Sequence, residues 1–178
     1  MKKIIKINLL FVVVFLCACK YSTKKEEPVE NQKFSLESYL IKDEYVKLEL
    51  KKMSSGHLHI YGQLNGVKGN FILDTGAGAT VIDKKNKEKF HMQAVNSGDE
   101  GTGAGGTGLQ MLASEKNNFR IGELEMDELG LTLMSLGHVN KAFESMGLEE
   151  IDGVIGADIL TNKKAIIDYS NLILYLKK

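Results

Sequence analysis

In residues 71–83, FILDTGAGATVID, an acid follows one apolar segment and is itself followed by a loop of very small residues and a second apolar segment. The FIL segment before Asp74 is typical of a strand, the glycines after it are typical of a tight turn, and ATVI at 79–82 is typical of a second strand. A solvated turn acid that bonds its own backbone is the ordinary alternative. The second apolar run instead favours a functional carboxylate that is buried between two strands.

The N-terminus has the pattern of a bacterial secretion signal. A lysine-rich start precedes an apolar run over residues 9–16, which is short for a membrane span. The LCAC segment at 16–19 resembles a lipobox, with a small residue directly before Cys19, whereas bulky Leu16 precedes Cys17. We predict a lipoprotein signal peptide over residues 1–18 and a lipid, such as palmitate, on Cys19. An uncleaved anchor helix is the alternative, and both place the protein in the bacterial cell envelope, attached to a membrane.

The length and composition of the rest of the chain predict one domain whose function does not depend on cysteine. Residues 19–40 are mostly charged and polar and contain the single proline, so we predict a flexible tether, followed by one domain over 41–178. With Cys19 lipidated, the folded part has no thiol for a disulfide, a nucleophile or a metal site. The zero formal net charge gives no indication of nucleic-acid binding.

The pattern from Tyr45 onward predicts a mainly β domain. Asn65-Gly66 between two apolar runs is a hairpin signal, and Gly122 marks another turn. The remaining predictions are a strand over 45–53, a short exposed helix over KKNKEKF at 84–90, strands in MLAS, NNFRIGELEM and LGLTLMSL, a helix over HVNKAFESMG ended by Gly147, and a closing hairpin of AIIDY and LILYL around Ser170-Asn171.

Residues 98–108, GDEGTGAGGTG, have six glycines among eleven residues. Gly101, Gly103 and Gly106 match the spacing of a dinucleotide-binding loop, but no apolar strand precedes them and no helix pattern follows. A mobile hairpin and an ordinary disordered loop are the two remaining interpretations.

The order of three motifs resembles that of the retropepsin-like aspartic proteases, in particular their bacterial single-domain members. Asp74-Thr75-Gly76-Ala77 is similar to the catalytic D-T-G-A motif, and 98–108 lies where the family has its flap. Residues 154–156, VIG, are similar to the hydrophobic-hydrophobic-glycine motif. The resemblance covers about residues 45–178, and the motif order makes it specific, because D-T-G alone is a weak signal.

This resemblance implies a closed β-barrel with a flap hairpin and one or two short helices. It implies that Asp74 is catalytic, that peptides or proteins are the substrate, and that no metal or cofactor is needed. It also implies support of the active-site loop by Thr75, Gly76, Ala77 and Thr80, a flap containing Gly101, Gly103, Gly105 and Gly106, and a second motif of Val154, Ile155 and Gly156.

Metal-free peptide hydrolysis needs two carboxyl groups, one to activate water and one, protonated, to polarise the carbonyl. Two adjacent carboxyl groups share a proton because both cannot easily ionise. The chain has one Asp-Thr-Gly, and Asp152-Gly153 lacks the hydroxyl and precedes the VIG motif. We therefore predict a homodimer that shares one site across its two-fold axis. The function predicted is a membrane-anchored aspartic endopeptidase; the alternative is a non-catalytic peptide-binding lipoprotein of the same fold.

Other polar residues are predicted to have structural roles. Asp158 and Asp168 are predicted to cap or close turns. His57 and His59 are two residues apart on a strand, but without a further ligand cluster they are predicted to be surface histidines rather than metal ligands.

Overall fold

The structure, a computed structural model, describes residues 35–103 and 106–178. The predicted signal peptide, Cys19, most of the tether and Gly105 lie outside the described residues. Within them, no helix is long and apolar enough to cross a membrane.

The described residues contain three short α-helices, where the sequence predicted one or two. They are α1 (Leu36–Lys42), α2 (Gly137–Ser145) and α3 (Ala157–Asn162). The first was not predicted, and it begins inside the segment interpreted as tether. Ser35 caps it by accepting a hydrogen bond from the Ser38 amide, and Leu40 is buried, so a cap and one apolar anchor hold it.

Most of the remaining structure is β, as predicted. Eleven strands are described: β1 (Tyr45–Glu49), β2 (Lys51–Lys52), β3 (Leu58–Leu64), β4 (Val67–Leu73), β5 (Val81–Asp83), β6 (Ala94–Gly103), β7 (Gly106–Ile121), β8 (Leu124–Met134), β9 (Gly153–Ile155), β10 (Ile166–Asp168) and β11 (Ile173–Lys177).

Six strands form a closed ring. Neighbours pair in the order β3-β4-β9-β5-β8-β7, and β7 pairs back to β3 where Leu64 lies opposite Phe119. The predicted closed barrel is therefore confirmed. A separate sheet has the order β1-β11-β10, so the predicted closing hairpin exists and its second strand also pairs with the first strand of the domain.

Aromatic side chains fill the interior of the ring. The ring centroids of Phe71 and Phe119 are 4.9 Å apart in an edge-to-face arrangement, and Phe90 lies 6.3 Å from Phe71. Gly69 makes room for them, because a Cβ there would lie 2.6 Å from the Phe71 ring. This core fixes the ends of β4, β5 and β9, which is where the motifs lie.

Turn predictions hold in most places. The Asn65-Gly66 hairpin joins β3 to β4, and Gly147 has a φ of +70° directly after α2. Segment 84–90 forms only a 3₁₀ turn over Lys84–Asn86, so a regular helix there was wrong. Asp168 closes its turn by accepting hydrogen bonds from Ser170 and Asn171, and those from Asn171 lower the pKa of its carboxyl.

The prediction of two surface histidines was half wrong. His57 is exposed and lies outside β3, whereas His59 is buried within it. The His59 ring contacts the Asn70 amide oxygen and lies edge-on to Tyr61, and burial lowers its pKa. Cross-strand neighbours bury this side chain, and the alternation along one strand does not reveal them.

Candidate active site

Three strand ends hold the loop that contains Asp74. Strand β4 runs parallel to β9, with Leu73 opposite Ile155, and β5 returns antiparallel to β9. The Asp74 amide donates to the Ile155 carbonyl at 3.0 Å, and the Ala77 amide donates to the Asp74 carbonyl at 3.1 Å. The two predicted motifs are therefore adjacent in space.

The Asp74 carboxylate is exposed in the single chain, so the expectation of a buried acid was wrong at this level. Its one hydrogen bond within the described residues comes from the Gly76 amide at 2.8 Å. Thr75, Gly76 and Gly78 are also exposed, and their small size leaves the acid uncovered. The part of the predicted catalytic loop from Asp74 to Gly78 is thus available for contact with another molecule, whereas Thr80 is buried.

Thr80 ties this loop to the VIG motif and α3. The residue is buried, its amide donates to Asp158 Oδ2 at 2.8 Å, and its hydroxyl donates to Asp158 Oδ1 at 2.7 Å. The same hydroxyl accepts from the Gly156 amide at 3.0 Å. Asp158 also accepts from the Ile159 amide, so its carboxylate is structural, in agreement with the sequence interpretation.

Removing the Thr80 hydroxyl is expected to destabilise the domain. Thr80→Val keeps the shape but leaves Asp158 and the Gly156 amide each short of a partner, so we expect about 2 kcal/mol less free energy of unfolding in urea. Thr80→Ser keeps the hydroxyl and should recover most of the loss. Exposed Thr161→Val is the control, expected to change stability by less than about 0.5 kcal/mol. Equal stability of the two valine variants would contradict this role for Thr80.

Strands β6 and β7 form the glycine-rich hairpin predicted as a flap. Gly103 lies opposite Gly106 and Gly101 opposite Leu109, so the hairpin interpretation is confirmed over the disordered loop. Gly106 has a φ of +114°, which favours glycine.

Gly101 is where this hairpin meets the barrel. A Cβ on Gly101 would lie 2.9 Å from the Met111 sulfur and 3.0 Å from the Met134 sulfur. The backbone of β6 therefore rests directly on two thioethers, which are polarizable and adapt to irregular shapes.

A cavity of about 420 Å³ separates the Asp74 loop from the hairpin. Such a concave, mainly apolar site with few polar groups is typical of ligand binding. Its described lining consists of Asp74, Gly76, Ala77, Gly78, Ala79, Val81, Gly101, Met111, Thr132, Met134, Leu136, His138, Val139 and Val154.

The cavity unites only part of the predicted site. Thr75 and Ile155 do not line the cavity, and Ile155 is fully buried. Gly156 does not line it either, but packs closely against the backbone of Ala77 and Ala79 in the loop. The sequence interpretation missed six lining residues: Met111, Thr132, Met134, Leu136, His138 and Val139. No motif marks them; their strand register and the start of α2 bring them there.

The described residues contain no group of three His, Cys, Asp or Glu side chains that could hold a metal ion. What the site offers is one carboxylate beside an apolar cavity.

Comparison with known proteins gives two kinds of match. A family profile described as aspartyl protease matches residues 60–159, which contain the Asp74 loop, the hairpin and the VIG motif. No curated protein matches the sequence significantly.

The comparison with solved structures gives matches that include the following three. The EIAV protease in complex with the inhibitor HBY-793 has a TM-score of 0.50 and 13% identity, covering 66% of this chain and 98% of that one. The retroviral protease-like domain of Ddi1 from Leishmania major has a TM-score of 0.49 and 14% identity, covering 67% and 87%. A retropepsin-like aspartic protease from Rickettsia conorii has a TM-score of 0.47 and 19% identity, covering 75% and 92%.

Proposed function

Because the chain belongs to the aspartyl protease family, we propose that it is an aspartic endopeptidase in which Asp74 activates the water that attacks a peptide bond. The observation that carries this proposal is the position of the Asp74 carboxylate at an apolar cavity between its loop and the glycine-rich hairpin. An extended peptide in this cavity would place a scissile bond beside the acid.

The reaction needs a second carboxyl group next to the first. One carboxylate takes a proton from water as the water attacks the carbonyl carbon, and the protonated partner donates a hydrogen bond to the carbonyl oxygen. The proton then passes to the leaving amine. A pair that shares one proton contains one ionised and one protonated carboxyl group at the same time.

Asp152 and Asp158, the two acids that flank the VIG motif, are already engaged. Asp152 accepts hydrogen bonds from the Asn70 amide at 2.8 Å, the Asn86 side chain at 2.9 Å and Lys89 Nζ at 2.6 Å. Asp158 is bound to Thr80. Neither carboxylate is free to form a pair with Asp74, which favours the Asp74 of a second copy as the partner.

The second copy would cover the exposed loop. A groove of about 400 Å³ begins at Thr75 and continues along α3 to β10, where Leu160, Ala165 and Ile167 line it. A two-fold axis beside Thr75 would bring both Asp74 residues together and let the two threonine hydroxyls bond across the interface. Tethering both copies to one membrane would raise their effective concentration.

A dilution series tests the shared site. We expect the specific activity of a chain that begins at residue 20 to fall as the protein is diluted below its dimer dissociation constant. The readouts are cleavage of a fluorogenic peptide, its inhibition by a statine-type mimic, and sizing at each concentration. A purely monomeric species with undiminished specific activity would refute the shared site, and peptide binding without cleavage would favour the alternative of a non-catalytic binding lipoprotein.

We further propose that Cys19 is lipidated and holds the enzyme at a membrane of the bacterial cell envelope. This rests on the basic start, the short apolar run and the LCAC segment. Mass spectrometry of the membrane fraction should find a mature chain that begins at Cys19 with added acyl mass. Cys19→Ser should block this processing, whereas Cys17→Ser should not. An unmodified Cys19 behind an intact leader would contradict the proposal.

A further inference from the structure

One surface of the sheet, outside the cavity lining, carries three cations without a charge partner. They are Lys51 on β2, Lys68 on β4 and Arg120 on β7, and within the described residues none of them forms an ion pair with a carboxylate. The described lysines that do form such pairs are Lys47, Lys85, Lys87, Lys89 and Lys177. Because the whole chain has equal numbers of acidic and basic residues, this surface has a local excess of positive charge.

The register of three neighbouring strands brings these cations together. Gln63 on β3 lies opposite Lys68 on β4 and also opposite Arg120 on β7, so both cations flank Gln63 on the same face of the sheet. The Gln63 side-chain oxygen accepts a hydrogen bond from the Arg120 guanidinium, which fixes its direction. A groove of about 270 Å³, here called the basic groove, lies between them, and its described lining is Tyr61, Gly62, Gln63, Lys68, Arg120 and Gly122.

An aromatic ring positions both lysines at the basic groove. Tyr61 is 40% exposed, and its ring centroid lies 4.4 Å from Lys68 Nζ and 5.4 Å from Lys51 Nζ. Buried His59 packs edge-on against this ring, with centroids 4.6 Å apart, and so holds it in place. Contact with the face of a ring leaves the lysine N–H groups available for an oxygen ligand.

Arg120 is the single arginine of the sequence. Its planar guanidinium presents five N–H donors, which can bind two oxygens of one phosphate, whereas a lysine acts as a point charge. Within the described residues one of these donors is used, by Gln63. Glu125, which lies opposite Arg120 on β8, accepts a hydrogen bond from Asn118 at 3.1 Å instead of pairing with the guanidinium. The remaining donors are therefore available to an anion.

We propose, resting on the membrane attachment proposed above, that the basic groove binds the phosphate groups of anionic phospholipids at the membrane surface. Lys68 and Arg120 are on the two strands that flank β3, so their backbones are about 10 Å apart. This spread suits neighbouring headgroups better than one small anion. Each basic residue near an anionic membrane strengthens binding about fivefold. Tyr61 adds an apolar ring with a polar tip, which is favourable at a membrane interface.

This contact is compatible with the lipid anchor and leaves the active site open. Residues 20–34 can span at most about 50 Å, which exceeds the diameter of about 40 Å expected for a domain of this size. A lipid on Cys19 would therefore let this face reach the membrane. Lys68 lies near the start of β4 and Asp74 directly follows its end, a separation of about 20 Å along the strand. Contact at the basic groove leaves the Asp74 loop and its cavity uncovered.

The reactivity of lysines in the full-length protein tests this without relying on catalysis. The protein is placed in nanodiscs of phosphatidylcholine alone, or of equal parts phosphatidylcholine and phosphatidylglycerol, then labelled with an amine-reactive reagent and analysed by mass spectrometry. The reagent needs a neutral amine, and a bound phosphate favours the charged form. We expect Lys51 and Lys68 to react about fivefold more slowly in the anionic nanodiscs. Exposed Lys141 on α2 should change by less than about twofold.

Arg120→Gln tests the groove without altering a labelled residue. Because Arg120 is exposed, the variant should fold, and thermal unfolding checks this. The reaction rates of Lys68 in the two kinds of nanodisc should then agree within about twofold. The matched control is Lys116→Asn, which removes one positive charge from β7 outside the groove lining, at a φ of +60° that asparagine tolerates. It should leave the protection of Lys68 unchanged.

Equal rates for Lys51 and Lys68 in both kinds of nanodisc, or protection of Lys68 that Arg120→Gln leaves unchanged, overturns the proposal. Added glycerol phosphate or a glutamate-rich peptide that protects these lysines equally well in neutral nanodiscs overturns the lipid as the ligand, in favour of a soluble phosphate or an acidic peptide. The same spectra report the acyl mass on Cys19. Its absence overturns only the proposed attachment, whereas acylated protein without selective protection overturns only the role of the basic groove.

Discussion

Asp74→Asn is expected to lower peptide hydrolysis by at least about 10³-fold while the protein still folds and dimerises. General acid and base catalysis each contribute about 10² to 10⁴ to a rate, and in a symmetric pair one substitution removes both carboxyl groups. An amide neither takes the proton from water nor shares one with its partner. The loss should appear in kcat of a fluorogenic peptide assay.

Folding should survive because Asp74 is exposed and makes few contacts. Among the residues that the structure describes, its side chain accepts one hydrogen bond, from the Gly76 amide, and an asparagine oxygen can accept the same bond. Replacing a like-charged pair by amides would also relieve repulsion in the proposed dimer. Sizing and thermal unfolding should therefore match the unsubstituted protein.

The control for Asp74 is an exposed acid distant from the loop in sequence. Glu123→Gln, in the turn between β7 and β8, removes the same charge and should leave the rate unchanged. Hydrolysis that survives Asp74→Asn would remove the aspartic-protease mechanism altogether. Equal losses in both variants would point to an effect of net charge instead.

Local patterns were sufficient to predict the main features of the fold. The apolar runs around Asp74 predicted strands, and the structure places β4 beside β9, with the Asp74 amide bonded to the Ile155 carbonyl. Glycine positions predicted the turns, because few other residues adopt a positive φ. The order of the three motifs supported the prediction of the site residues, because each motif alone is common.

What the sequence did not predict depends on contacts between distant segments. His138 and Met111 reach the cavity through helix placement and strand register, neither of which leaves a local signal. Burial of His59 depends on its cross-strand neighbours, and exposure of Asp74 depends on how small the loop residues are. Helix α1 was missed because one buried residue, Leu40, gives too weak a period to distinguish it from a charged tether.

Gly156→Ala is expected to have the largest effect on stability of any single methyl group added to this site. A Cβ on Gly156 would lie 2.4 Å from the Ala79 carbonyl oxygen and 2.9 Å from that of Ala77. Both are backbone atoms, which cannot rotate away as the end of a side chain can. The φ of Gly156 is −95°, so alanine fits the backbone conformation and the clash alone opposes the substitution.

Relief of this clash requires the catalytic loop to move off β9. That movement would stretch the bond from the Ala157 amide to the Ala77 carbonyl, now 2.7 Å, and the bond from the Gly156 amide to the Thr80 hydroxyl, now 3.0 Å. We expect a loss of about 3 kcal/mol in the free energy of unfolding, or about 10 °C in Tm. Both are measured by urea and thermal unfolding.

Gly78→Ala is the matched control, because it adds the same methyl group to the same loop where nothing lies within 4 Å. It should change stability by less than about 1 kcal/mol. Equal unfolding midpoints for the two variants would contradict the close packing of the Asp74 loop on β9. Where Gly156→Ala protein remains folded at low temperature, its kcat should fall more than its KM rises, because a displaced loop moves Asp74 away from its proposed partner while the cavity walls contributed by β8 and α2 stay in place.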